Sequence, residues 1–321
     1  MTTLATSKLR LQFQAHTNAV TDIKIKGEDE DQIIYTSSRD KTIKGWTISK
    51  DMTGEEFSRL KKTHRGHGGF VTAFDLSKTS DYRVSVGRDN MVRAWPTSPT
   101  DPVLKAPHQD RPYALLTHLV TVREGNQEKS LEYIFTGGKS GALHIWNSHL
   151  ELKKSLVRQD NPGATITTIK AVPKNPMLIL CAYTDGAVVT WNIESEMVEN
   201  IMKASSILDA VTVSPDGSIC ATAGRDRSVL LWDLKGQNNQ YQISAGEPVH
   251  SLEFAFSAYW LAAGMDNSIA IWDIIEKEIV IEIPNPEESK GFCTAMCWAD
   301  RFTLIAGYSD GLVRKYVFNV E

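Results

Sequence analysis

The chain has 321 residues, 41% of them hydrophobic and 23% charged, with a net charge of −4. This is the composition of a soluble globular protein able to bury a large core. No stretch approaches the roughly 18 apolar residues of a membrane span, and the N-terminus lacks the apolar run of a secretion signal, so no membrane span is expected and the cytosol is the expected compartment.

In chain order, the first predicted element is a short strand at residues 8–13, where Leu9, Leu11 and Phe13 alternate with Arg10 and Gln12. From there one signal recurs, an acidic residue followed six positions later by Trp. It joins Asp40 to Trp46, Asp89 to Trp95, Asp185 to Trp191, Asp226 to Trp232 and Asp266 to Trp272. Ser140 takes the acidic place before Trp146, and Tyr316 takes the aromatic place after Asp310. The seven copies follow one another at 49, 51, 45, 41, 40 and 44 residues. Repeats of this length and signature predict an all-β fold, a seven-bladed WD-repeat β-propeller occupying residues 1–321 as a single domain.

The fifth copy shows the grammar. A strand at 210–213 is followed by the turn Ser214-Pro-Asp-Gly217, a strand at 218–223, a tight turn at Arg225-Asp226-Arg227 and a strand at 228–232. The sixth copy repeats it at 249–254, 260–263 and 269–272. Two copies depart from it. The third carries a polar insertion at Arg123–Ser130, expected as a surface loop, and the fourth has Pro173 and Pro176 in its inner hairpin and no upstream His. The seventh copy ends after three strands, at Tyr316-Val-Phe318, so residues 8–13 are expected to pair with it as its fourth strand and close the ring.

His16, Ser38, Asp40 and Trp46 have the makings of a catalytic relay, but in this repeat class such a set is expected as a buried hydrogen-bond chain, His to Asp and Ser to His and Trp, that pins a blade turn. His67 and Asp89 repeat part of it, with Gly87 at the Ser place, which predicts a shorter chain. There is no nucleophile elbow, HExxH, phosphate loop or paired-cysteine metal motif, so no catalysis, cofactor, metal or small-molecule substrate is expected. Cys293 and Cys297 lie four apart on a predicted strand, roughly 13 Å, too far for one metal or one disulfide. With Cys181 and Cys220 they read as buried reduced thiols.

Charge is uneven along the chain. Residues 1–105 hold 17 Lys and Arg against 13 Asp and Glu, and residues 106–321 hold 18 against 26. The turns around the repeated Asp concentrate the cations, with Arg39 and Lys41 in the first copy, Arg88 in the second, Lys139 in the third, and Arg225 and Arg227 in the fifth. Lys61, Lys62, His64 and Arg65 crowd the approach to Gly66-His67. The cluster in the first two copies is that of a surface meeting a phosphate backbone.

Several segments match beyond the Asp and Trp positions. Ser38-Arg-Asp-Lys-Thr-Ile-Lys44 with Trp46, Val211-Thr-Val-Ser-Pro-Asp-Gly-Ser218, Tyr259-Trp-Leu261, Ser268-Ile-Ala-Ile-Trp-Asp273 and Ala306-Gly-Tyr-Ser-Asp-Gly-Leu-Val-Arg314 resemble the receptor for activated C-kinase family, the guanine-nucleotide-binding β-subunit-like scaffolds of the eukaryotic small ribosomal subunit. The resemblance covers the full chain. It implies a non-catalytic scaffold at the head of the small subunit, held by ribosomal RNA and ribosomal proteins and recruiting protein kinase C and other signalling proteins. It places ribosomal contacts at Arg39 and Lys41, at Lys62 and Arg65, and more loosely at Arg10 and Lys105. It also assigns kinase docking to Ser268, Ile269, Ala270, Ile271, Trp272 and Asp273, and a phosphorylatable tyrosine to Tyr259. Thr47 and Pro96 follow Trp46 and Trp95 where Asp or Asn is usual, and the Glu282–Cys293 stretch is short for the family's protruding loop. The rival readings are a G-protein β-subunit, which would carry a long N-terminal coiled-coil helix, and an adaptor in a complex such as a ubiquitin ligase.

Overall fold

The computed structural model describes residues 5–27, 31–79, 82–98, 100–124, 127–236, 239–256, 259–286 and 291–320. Among the described residues its strands form seven four-stranded sheets, the blades of a seven-bladed β-propeller. Blade one is built from Val20–Lys26, Ile33–Ser38, Thr42–Lys50 and Glu56–Arg65. Blade two is Val71–Leu76, Tyr82–Gly87, Met91–Pro96 and Leu104–Pro107, and blade three is Pro112–Glu124, Gln127–Gly138, Leu143–Asn147 and Leu152–Leu156. Blade four runs from Ile166–Ala171 to Met197–Lys203, blade five from Leu208–Val213 to Asn239–Ser244, and blade six from Val249–Phe254 to Glu278–Pro284. Blade seven has Cys293–Asp300, Thr303–Tyr308 and Leu312–Val320, with Ala5–Gln14 as its fourth strand. No helix among the described residues is long and apolar enough to cross a membrane.

Two compact units divide these blades. Met1–Val71 with Ala245–Glu321 holds blades one, six and seven, and Thr72–Ser244 holds the rest. Within each blade the second strand is buried along nearly its whole length, as in Ile33–Ser38 and Thr303–Tyr308, whereas outer strands such as Glu56–Arg65 are largely exposed. A strand covered on both faces reads as a continuous apolar run and a strand facing water on one side alternates, which is why the inner hairpins were the clearest elements in the sequence. Neighbouring blades pack through small residues. In the first unit the Thr294 hydroxyl donates to Val20 O at 2.7 Å, and a Cβ on Gly307 would meet Val20 at 2.6 Å.

The N-terminal strand pairs antiparallel with Leu312–Val320, from Ala5 opposite Val320 to Gln14 opposite Leu312. It is longer than residues 8–13 and it is bulged. Leu9 faces Tyr316 and Leu11 faces Lys315, so Arg10 is an extra residue, Leu9 is 41% exposed and Leu11 is buried. The simple alternation of Leu9, Leu11 and Phe13 is broken there. The third-blade insertion also differs from the expected loop. The flanking strands continue through it, with Arg123 opposite Glu128 and Glu124 opposite Gln127, because a hairpin can extend past its blade wherever both arms keep their ladder bonds. Residues 125 and 126 of that insertion lie outside the described residues.

Candidate nucleic-acid interface

The turn of blade one is organised around Asp40. Its Oδ2 accepts hydrogen bonds from His16 Nδ1 at 2.8 Å and from the main-chain N–H of Thr17 at 3.3 Å. Its Oδ1 accepts from the Thr42 main-chain N–H at 3.0 Å and from the Thr42 hydroxyl at 2.6 Å. Burial alone would raise this carboxyl, but the donors from His16 and Thr42 outweigh it and hold Asp40 well below the usual carboxylate range. The negative charge is real, and it is spent inward.

His16 Nε2 lies 2.8 Å from Thr36 Oγ1, which also accepts the Trp46 indole N–H at 3.0 Å. The buried chain is therefore Asp40, His16, Thr36 and Trp46. Ser38 does not belong to it, contrary to the sequence expectation: its hydroxyl donates to Asn18 O at 2.9 Å and accepts from Asp40 N at 3.0 Å. The reason lies in register. Trp46 stands opposite Ile34 and Lys44 opposite Thr36, so the indole reaches diagonally to Thr36, while Ser38 lies a further pleat along at the turn. The same step of ten residues links Trp95 to Ser85, Trp146 to Thr136 and Trp232 to Thr222, each at 2.8 Å. Gly87 therefore does not deprive Trp95 of a hydroxyl partner, because Ser85 supplies it.

Blades three and four complete this arrangement with residues the repeat signature missed. Asp110 replaces the carboxylate absent at Ser140. Its Oδ2 accepts the Ser140 N–H, while His108 Nε2 lies 2.9 Å from Thr136 Oγ1. In blade four the buried Arg158 stands for the missing His, hydrogen-bonding Asp160 and Asp185 and stacking 4.6 Å from the Tyr183 ring. The available signal was a polar residue 24 to 32 positions before the turn, at His16, His108 and Arg158 alike.

With Asp40 occupied, Arg39 and Lys41 project from the turn into solvent. The backbone is held by Arg39 N–H to Ala19 O at 3.0 Å and Lys41 N–H to Ser38 O at 3.2 Å. Lys41 has φ of 72°, and the equivalent Asn90, Gly141, Gly186, Arg227 and Gly311 are also left-handed. That conformation favours Gly or Asn, and a Cβ at Gly141 would come within 2.3 Å of Ala164 O. Lys41 is kept there at a cost in local strain. Arg65 is level with the turn, since it pairs with Thr42, and Lys62 is three residues along the same outer strand, opposite Gly45. Among the described residues, the side chains of Arg39, Lys41 and Arg65 form no hydrogen bond or ion pair.

The structure separates the remaining basic candidates from this group. Arg10 lines a cleft with Lys8, Lys50, Gly54, Glu55 and Glu56, near the turn at the opposite end of the Thr42–Lys50 strand. Two carboxylates beside it make that a poor phosphate site. Lys105 is exposed on the outer strand of blade two, opposite Arg93, and belongs to the other compact unit.

The stretch that the resemblance assigned to kinase docking is mostly buried. Ser268, Ile269, Ala270, Ile271 and Trp272 are at most 5% exposed, in a strand paired on both edges, and Asp273 accepts the N–H groups of Ile275 and Glu276. Its alternation-free apolar run is that of a covered strand, which leaves Ser268–Trp272 little surface to offer a partner. Tyr259, by contrast, is 42% exposed at the start of the neighbouring strand. Cys181, Cys220 and Cys293 are buried free thiols, and burial pushes Cys293 up to about 12.

The WD domain, G-beta repeat family matches residues 7–47, 58–96, 201–233 and 238–273. These segments cover the inner strands of blades one, two, five and six, each with its Asp-to-Trp step, and leave out those of blades three, four and seven. Two curated relatives align over almost the whole chain. Small ribosomal subunit protein RACK1 of Drosophila melanogaster is 28% identical over 98% of this chain and 98% of its own length. The protein of the same name from Caenorhabditis elegans is 28% identical over 98% of this chain and 97% of its own. The matched repeats, the seven blades and these two alignments make the chain similar, from end to end, to small ribosomal subunit protein RACK1.

Proposed function

We propose that the protein is a non-catalytic scaffold of the cytoplasmic small ribosomal subunit, with residues 1–321 acting as one propeller domain, docked on ribosomal RNA and neighbouring ribosomal proteins through the turn of blade one. The observation that carries this reading is the state of the blade-one cations. Arg39, Lys41 and Arg65 are exposed and unpaired at one end of a blade whose nearest carboxylate is consumed internally. Such a turn offers positive charge on a rigid backbone, which suits positioning contacts to phosphates. The names of the relatives point the same way. The other blades are then free to recruit signalling proteins, protein kinase C among them, and the exposed Tyr259 is an accessible phosphorylation position.

Co-sedimentation with purified small subunits tests it. Arg39→Asp with Lys41→Glu reverses both charges, and repulsion from a polyanion within about 8 Å is only partly screened at physiological salt. The expected result is at least a tenfold loss of binding with a cooperative melt retained. Arg225→Asp with Arg227→Glu, matched in charge and in left-handed strain, is expected to leave binding within twofold. Equal losses from both pairs would assign the binding to overall charge. Retained binding by the first pair would leave the G-protein or ubiquitin-ligase adaptor reading in its place.

A further inference from the structure

We infer that blade three carries a binding site for a divalent transition-metal ion of the zinc type, formed by His108, Asp110 and His144. The ligand atoms, an imidazole nitrogen from each histidine and a carboxylate oxygen from Asp110, all lie within 4.8 Å of one another. His108 and His144 are buried, with rings 4.8 Å apart and edge to face, and Asp110 is half-buried.

Comparison between blades shows why this place lacks a cation. The residue two before the blade's Trp or Tyr is Lys44 in blade one, Arg93 in blade two and Arg314 in blade seven. Lys44 Nζ donates to Ala15 O at 2.7 Å, Arg93 approaches Asp89 at 3.7 Å, and Arg314 stacks 4.1 Å from the Tyr308 ring. Blade four brings Arg158 to Asp185 by another route. Each of these blades thus keeps a permanent cation in its polar core. Blade three has His144 at that position, opposite Thr136 as Lys44 is opposite Thr36.

Among the described residues the imidazole leaves one buried atom without a hydrogen-bond partner, His144 Nε2. His144 Nδ1 is engaged by the Ser155 hydroxyl at 2.7 Å, which fixes the ring with Nε2 toward the cluster. His108 Nδ1 lies 3.0 Å from the Asp110 main-chain oxygen and 2.9 Å from Oδ1, and its Nε2 is held by Thr136. Second partners of this kind orient imidazole ligands in metal centres. Two imidazoles and one carboxylate suit Zn(II), with a fourth position left for water on the half-exposed Asp110 side. Donors around one tetrahedral ion sit roughly 3.3 Å apart, from metal–ligand distances of about 2.0–2.1 Å. The 2.9 Å pair is already within that reach, and every ligand atom of the cluster lies within 4.8 Å of the others.

The test uses the full chain, freed of metal with a chelator, and Zn(II) alone as the probe. Calorimetric titration at pH 7.5 is expected to show one equivalent bound with a micromolar or tighter Kd, and Co(II) to give the visible absorption of a low-symmetry site. His144→Lys installs the residue of blade one. It and Asp110→Asn are expected to weaken binding at least tenfold while melting cooperatively, and His149→Ala, on the exposed turn nearby, is expected to leave it unchanged. If His144→Lys fails to fold, the wild type and Asp110→Asn decide alone. No binding by the wild type at 100-fold the protein concentration, or undiminished affinity in Asp110→Asn, overturns the site.

Discussion

The turns of blades one and five carry nearly the same sequence, Arg39-Asp40-Lys41 and Arg225-Asp226-Arg227, and put it to opposite use. In blade one the Asp turns inward to four donors, and both flanking cations are left to solvent. In blade five there is no His to receive it. Among the described residues, Asp226 is exposed and accepts only the Ser228 N–H at 3.4 Å, and Arg225 is tied to Asp209 at 3.2 Å. The first turn presents net positive charge on a braced backbone, and the second is close to neutralised. A basic tripeptide on a turn has no fixed meaning. What its carboxylate bonds to decides whether its cations are available.

The largest effect expected is one the two blades share. Trp46→Ala and Trp232→Ala each remove a buried indole and its hydroxyl bond, and each should cost about 3–5 kcal/mol in urea denaturation. A difference of more than about 2 kcal/mol between them would mean that the blades are not equivalent at the Trp position. The aspartates should separate the blades. Asp40→Ala orphans His16 and Thr42 and should cost about 2–3 kcal/mol, against less than about 0.5 for Asp226→Ala on the surface. Similar losses at both positions would refute the contrast.

Acid unfolding sharpens the same contrast. Because the folded-state pKa of Asp40 is depressed, its contribution is fully present above the unfolded-chain value, about 3.9, and is lost as pH falls from there toward the folded value. Stability of the wild type measured from pH 5 downward should therefore drop faster than that of Asp40→Asn. Parallel curves would show that Asp40 does not gain its hydrogen bonds on folding. The smallest effect concerns strain. Lys41→Gly and Arg227→Gly each relieve a left-handed side chain and should raise stability by up to about 1 kcal/mol, net of the entropy Gly adds to the unfolded chain. Only Lys41→Gly should also weaken binding to small subunits.

Much of this molecule was legible because its signals are local. Tight turns fix the register of each inner hairpin, so the Asp-to-Trp step gave the blade count, and the covered second strands announced themselves as apolar runs. The hydroxyl partner is Thr36 rather than the Ser38 of the repeat pattern, because the diagonal reach of the indole selects the residue ten before it. The burial of Ser268–Trp272 was beyond the reach of the family resemblance, because a motif says nothing about which faces of a strand are covered.

By itself, then, the sequence determined an all-β chain of seven blades, the N-terminal strand as the fourth strand of the last one, and a basic turn at Arg39-Asp40-Lys41. Tertiary structure alone decided which cations stand free and which residues stand in for missing ones. His16 reaches Asp40 across 24 residues, Arg158 reaches Asp185 across 27, and Gln12 accepts from Arg314 across 302. No local pattern encodes such pairings, because each depends on strands brought together only when the blade has closed around its own buried polar groups.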